Sequence, residues 1–176
     1  MLVMLAHGAS GSAASMEGHV RGLVERGVDA LAIDLPLRRA EAAVPAFAAA
    51  VAGEAPHSMV IGGQSYGGRV ASLLAAEQPA NVRGLVCFSY PLHRPGSPDW
   101  EERTAHWQRL ALPVLLLSGE ADPFARIDLL RRAVDARLVR ARLVTWPRLG
   151  HSLRPVLAEA LDLTAAFVRD LEGSPA

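Results

Sequence analysis

Lysine is absent from this sequence, and cysteine is nearly so. Arginine carries all 18 basic charges, set against 18 acidic ones for a formal net charge of zero. No stretch gathers roughly five or six like charges, so nothing is available to neutralise a phosphate backbone, and nucleic acid is excluded as an expected partner. The single cysteine, Cys87, cannot close an intramolecular disulfide. It lies in the apolar run Leu85-Val86-Cys87-Phe88, where a small buried hydrophobe is the ordinary reading, and a reducing, cytoplasmic setting is expected. Aromatic residues are scarce, at 5%. No run reaches the roughly 18 to 20 apolar residues that cross a bilayer, so no membrane association is expected. The apolar start Met1 to Ala6 has no basic segment before it, is too short for a signal core, and runs into a His-Gly turn; it reads as a strand.

What is present is apolar bulk: 51% of 176 residues. A chain of that size buries roughly 70% of its unfolded surface as one domain. A single domain is expected over residues 1–172, with Gly173-Ser174-Pro175-Ala176 as a disordered tail. Short β-rich runs recur at 2–6, 28–35, 58–63, 82–89, 113–118 and 141–146. Helical spacing follows each, over about 16–26, 39–52, 67–78, 99–110, 125–136 and 154–171. This alternation, with runs such as Pro113-Val114-Leu115-Leu116-Leu117 apolar on both faces, predicts an α/β fold: a doubly wound, mostly parallel sheet of about six strands covered on both sides by helices. Ligands of such sheets bind beyond the carboxyl ends of the strands.

The chemistry-bearing residues collect there. After the third run comes Gly63-Gln64-Ser65-Tyr66-Gly67, a GxSxG strand-to-helix turn. The turn forces its central residue into strained backbone angles, and glycines on either side remove the Cβ atoms that would collide. Ser65 would stand at a helix N-terminus, with the Tyr66 N–H able to stabilise developing negative charge. Two other readings compete with a nucleophile. A helix-capping serine in a glycine-rich turn is one. A phosphate loop is the other, on the Gly63 to Gly68 spacing, but Arg69-Val70 replaces the Lys and Ser/Thr it needs, and no GxGxxG is present.

A serine nucleophile needs a base, and the base an orienting carboxylate. Asp122 follows the run 113–118 and His151 follows the run 141–146, in the chain order Ser, Asp, His expected of a strand-turn-helix nucleophile. Glu120 is the rival carboxylate. The first run ends in His7-Gly8-Ala9-Ser10-Gly11, where the Ala9 N–H, or failing it that of Gly8, is the candidate second oxyanion donor beside Tyr66. His7 either braces this turn or lines the substrate site. The longest irregular segment, Tyr90 to Trp100, offers Tyr90, His93 and Trp100 as further substrate-lining candidates, although Trp100 and Trp107, seven apart, could equally be packing residues on one helix face.

Taken together, His7 to Gly11, the elbow running into Arg69, Ser89-Tyr90-Pro91-Leu92-His93 with Pro95, Ser118-Gly119 with Asp122, and His151-Ser152 resemble the α/β-hydrolase superfamily. Within it the chain is similar to the dienelactone-hydrolase-like branch and to the small, cap-less KANL or testis-expressed-like hydrolases. The resemblance implies the strand order 4-3-5-6-7-8 in superfamily numbering, without the first two strands or a cap domain. It also implies serine hydrolysis of a small ester or thioester with no metal or other cofactor. Dienelactone hydrolases use a cysteine where Ser65 stands, so their lactones are not implied. A non-catalytic scaffold binding a small ligand or protein partner is the alternative. The early start of the sheet would leave residues 28–35 as an open edge, an expected homodimer contact.

Overall fold

The computed structural model describes residues 1–174. Six parallel strands form one sheet: β1 (Leu2–Ala6), β2 (Ala30–Ile33), β3 (Met59–Gln64), β4 (Val82–Phe88), β5 (Val114–Gly119) and β6 (Ala141–Trp146), in the order β2-β1-β3-β4-β5-β6. The expected doubly wound architecture and strand order are both observed. Helices α1 (Glu17–Val24) and α6 (Leu157–Gly173) cover one face; α2 (Ala40–Val51), α3 (Tyr66–Ala75) and α5 (Ile127–Arg137) cover the other.

Alternation along each strand divides the core into two layers. In β1, Met4 and Ala6 pack under α2 and α3, while Val3 and Leu5 pack under α1 and α6. In β5, Val114 and Leu116 face the first layer and Leu115 and Leu117 the second. Burial on both faces is why these strands read as unbroken apolar runs. Cys87 belongs to the first layer, and burial pushes its thiol far above the ordinary range, so it is inert packing.

Three of the differences from the sequence expectation have a local reason. The strand expected over 28–35 pairs only from Ala30 to Ile33, because Val28 N–H bonds back to Leu23 O and Leu35 N–H is taken by His7 Nε2. The helix expected over 99–110 divides into α4 (Glu101–Thr104) and a 3₁₀ turn over Ala105–Arg109. There the Thr104 hydroxyl competes for the Trp100 carbonyl at 3.0 Å, and Leu110 N–H closes onto Trp107 O instead of continuing an α-helix. Of the expected disordered tail, Gly173 closes α6 and Ser174 bonds to Leu171 O and Asp170 O, so these two are ordered; Pro175 and Ala176 lie outside the described residues.

Candidate active site

The turn between β3 and α3 has the strained geometry its sequence demands. Ser65 sits at φ 49° and ψ −110°. A Cβ on Gly63 would lie 2.2 Å from Ala6 O, and one on Gly67 would lie 2.3 Å from the same oxygen, so neither position admits a side chain. Backbone bonds hold the turn from both sides: Ser65 N–H to Phe88 O at 2.8 Å and Gly67 N–H to His7 O at 3.0 Å.

The loops after β5 and β6 meet beside it. Glu120 N–H bonds to Trp146 O at 3.0 Å and Ala121 N–H to Leu149 O at 2.8 Å. This brings His151 Nδ1 to 2.7 Å from Asp122 Oδ2. The Asp122 side chain is fully buried, that of His151 is 25% exposed, and Asp122 Oδ1 is occupied by the Phe124 N–H at 2.8 Å. Glu120 faces elsewhere, accepting from Thr145 Oγ1 at 2.8 Å and Arg131 at 2.9 Å. Between the rival carboxylates, the one bonded to the histidine is Asp122. Among the described residues no hydrogen bond joins Ser65 Oγ to His151, a contact of the kind that often tightens only around substrate.

Ala9, Ser65 and Tyr66 line one cavity of about 860 Å³ together with Phe124, whose ring packs tilted against His151 with centroids 4.6 Å apart and planes 46° apart. A second cavity of about 350 Å³ opens beside Gly8 and Ser152, with His19 and Ser89 in its wall. Burial, reinforced by the charge of Arg154, pulls His19 down to about 4, so it stays neutral near pH 7. Among the described residues no three His, Cys, Asp or Glu side chains gather as a metal site.

A family model described as an α/β hydrolase domain matches residues 1–167, nearly the full chain. The chain belongs to the α/β hydrolases. Solved structures give the same fold. A monoacylglycerol lipase of Paleococcus ferrophilus aligns with TM-score 0.82 at 16% identity over 97% of this chain and 94% of that one. Est1E of Butyrivibrio proteoclasticus, solved with ferulic acid bound, aligns with TM-score 0.80 at 16% identity over 98% and 90%. An α/β serine hydrolase homologue from Coxiella burnetii aligns with TM-score 0.75 at 16% identity over 95% and 84%.

In this α/β hydrolase none of His7, Tyr90, His93 and Trp100 lines either cavity: His7 braces its turn and Trp100 packs, each one of the two readings its position offered, and Tyr90 and His93 are structural instead of substrate-lining. Tyr90 is 1% exposed, donates to Arg103 O at 2.8 Å and stacks edge-on against Trp107. Trp100 packs in the core with Arg137 over its ring, so it and Trp107 are packing residues. His7 and His93 are buried loop clamps of the same design. His7 donates from Nδ1 to Gly8 O at 2.8 Å and accepts the Leu35 N–H at Nε2; His93 donates to Arg94 O at 2.9 Å and accepts the Arg126 N–H at 3.0 Å. Polar residues after a strand draw attention as ligands, yet burial here requires each ring to satisfy loop backbone. Phe124 is the site residue that sequence reasoning missed; its only signal is its place two residues after Asp122.

Proposed function

We propose that this α/β hydrolase is a serine esterase or thioesterase acting through an acyl-enzyme on Ser65. The observation that carries the reading is the 2.7 Å bond from His151 to a fully buried Asp122, set in loops beside a strained Ser65 turn. Asp122 holds the imidazole with Nδ1 protonated, which leaves Nε2 free to take the Ser65 proton. Ser65 Oγ then attacks the carbonyl carbon. The backbone N–H groups of Ala9 and Tyr66, neither engaged elsewhere among the described residues, receive the oxyanion. His151 returns its proton to the leaving oxygen or sulfur, and water cleaves the acyl-enzyme by the same route in reverse. No metal or organic cofactor takes part in this scheme.

The blocks around His7 to Gly11, the elbow, Ser89 to His93 and His151-Ser152 support a place in the dienelactone-hydrolase-like branch, beside the small KANL or testis-expressed-like hydrolases. A lone buried Cys87 supports a reducing, cytoplasmic setting, and no described helix is long and apolar enough to cross a membrane.

The open link between Ser65 and His151 favours the second reading, a non-catalytic scaffold. Fluorophosphonate labelling and short-chain p-nitrophenyl ester turnover separate the two. Wild type is expected to label and turn over, and Ser65→Ala to lose both. Equal behaviour of the two proteins would sink the hydrolase reading.

A further inference from the structure

The larger cavity beside Ser65 carries charge that its own side chains leave unbalanced. Arg38, Arg39, Arg69, Arg94 and Arg103 line it, against Glu41, Asp99 and Glu102. Glu41 is spent on Arg69, whose Nη2 donates to it at 2.5 Å, and Asp99 accepts the Ser97 hydroxyl at 2.7 Å. Arg69 also holds its Nε buried without a partner among the described residues. Among those residues, no carboxylate stands within ion-pair distance of Arg38, Arg39, Arg94 or Arg103. Arg103, one of the lining residues, gives one N–H to Pro91 O at 3.0 Å. Burial and the neighbouring charges of Arg69 and Arg94 hold it below the ordinary arginine range, although Tyr90 and Glu102 pull the other way. Gathering like charges around a concave space is unfavourable until an anion enters it.

The lining of the two cavities bears on which end of a substrate carries that anion. A leaving group takes its proton from His151, so it lies on the His151 flank. Ser65, whose Oγ keeps the acyl group, lines the arginine cavity itself, whereas His151 lines neither cavity and has one neighbour in each, Phe124 in the larger and Ser152 in the smaller. Resting on the acyl-enzyme reading above, we infer that the larger cavity takes an acyl chain ending in a carboxylate, the half-ester or half-thioester of a dicarboxylic acid, held by Arg69, Arg94 and Arg103. A planar guanidinium suits a planar carboxylate, to which it can give two parallel hydrogen bonds.

The test compares p-nitrophenyl hexanoate with mono-p-nitrophenyl adipate, which differ by a terminal carboxylate in place of a methyl group. Wild type is expected to favour the adipate by about 10- to 100-fold in kcat/KM at low ionic strength, the scale of a charge-assisted hydrogen bond, and to lose part of that preference in salt. Arg94→Gln and Arg103→Gln, each checked for native circular dichroism, should lower the adipate-to-hexanoate ratio; Arg142→Gln, exposed on β6, should leave it unchanged. A ratio near one in wild type, or one untouched by both site variants, overturns the inference. So does a preference for 4-acetoxybenzoate over phenyl acetate without one for adipate, which would put the anion on the leaving group. Fluorophosphonate labelling keeps the two readings apart: labelled Ser65 without adipate preference refutes only the anion site, whereas no labelling and no turnover refute both.

Discussion

At the scale of single residues, the assignment of roles rests on which partners each side chain has already taken. Asp122 spends one oxygen on its own loop and the other on His151, whereas Glu120 is consumed by Thr145 and Arg131. Asp122→Asn should therefore lower kcat by about 10³- to 10⁴-fold by destabilising the working tautomer of His151, while Glu120→Gln stays close to wild type in the same ester assay. A buried histidine outside the site sets a different expectation. His106 lies against Ser72 Oγ at 2.8 Å, and burial, followed by the charges of Arg69 and Arg109, lowers it from 6.5 to about 4. The unfolded chain binds a proton there below pH 6.5 and the folded one does not, so stability is complete above 6.5 and falls as pH drops toward 4. Urea unfolding at pH 7 and at pH 4.5 should show this loss, up to about 3 kcal/mol from this group, and His106→Gln should flatten the dependence.

At the scale of elements, the site is made by loops that clamp one another. His93, on the segment after β4, holds the segment after β5 through the Arg126 N–H, and its own backbone N–H bonds to Phe124 O at 3.0 Å. His93→Ala would orphan the Arg126 N–H and loosen the loop bearing Asp122 and Phe124. A cost of about 1–3 kcal/mol in unfolding free energy is expected, together with a lower kcat. Strands and principal helices were legible because burial on both sheet faces writes continuous apolar runs and helix coverage writes a 3.6-residue period. The short α4 and its 3₁₀ turn were not, since a hydroxyl competing for a carbonyl leaves no periodic trace. The His93 clamp was not legible for a related reason, since sequence marks a polar residue after a strand but not what its ring will bond to; bracing by His7 was one of the two readings its turn offered.

At the scale of the whole molecule, β2 forms one edge of the sheet, with Leu37 in the loop beyond it 63% exposed. We propose that this edge, within residues 28–35, pairs with that of a second copy. Static light scattering at high micromolar concentration should then return twice the chain mass; a monomer there refutes the pairing.

The sequence by itself determined the alternation of strands and helices, the Ser65 elbow, and the order in which Ser65, Asp122 and His151 appear after successive strands, because each is written in residue spacing and in turns that only glycine can make. Only the tertiary structure decided that Asp122 and not Glu120 meets His151, that Tyr90, His93 and Trp100 face inward, and that arginines from three separate segments share one cavity. Those contacts join residues far apart in the chain, and it is strand order and loop packing that bring them together. The Ser65 turn shows both levels at once: its glycines could be read directly, but the Ala6 carbonyl that makes them necessary comes from a neighbouring strand more than fifty residues earlier.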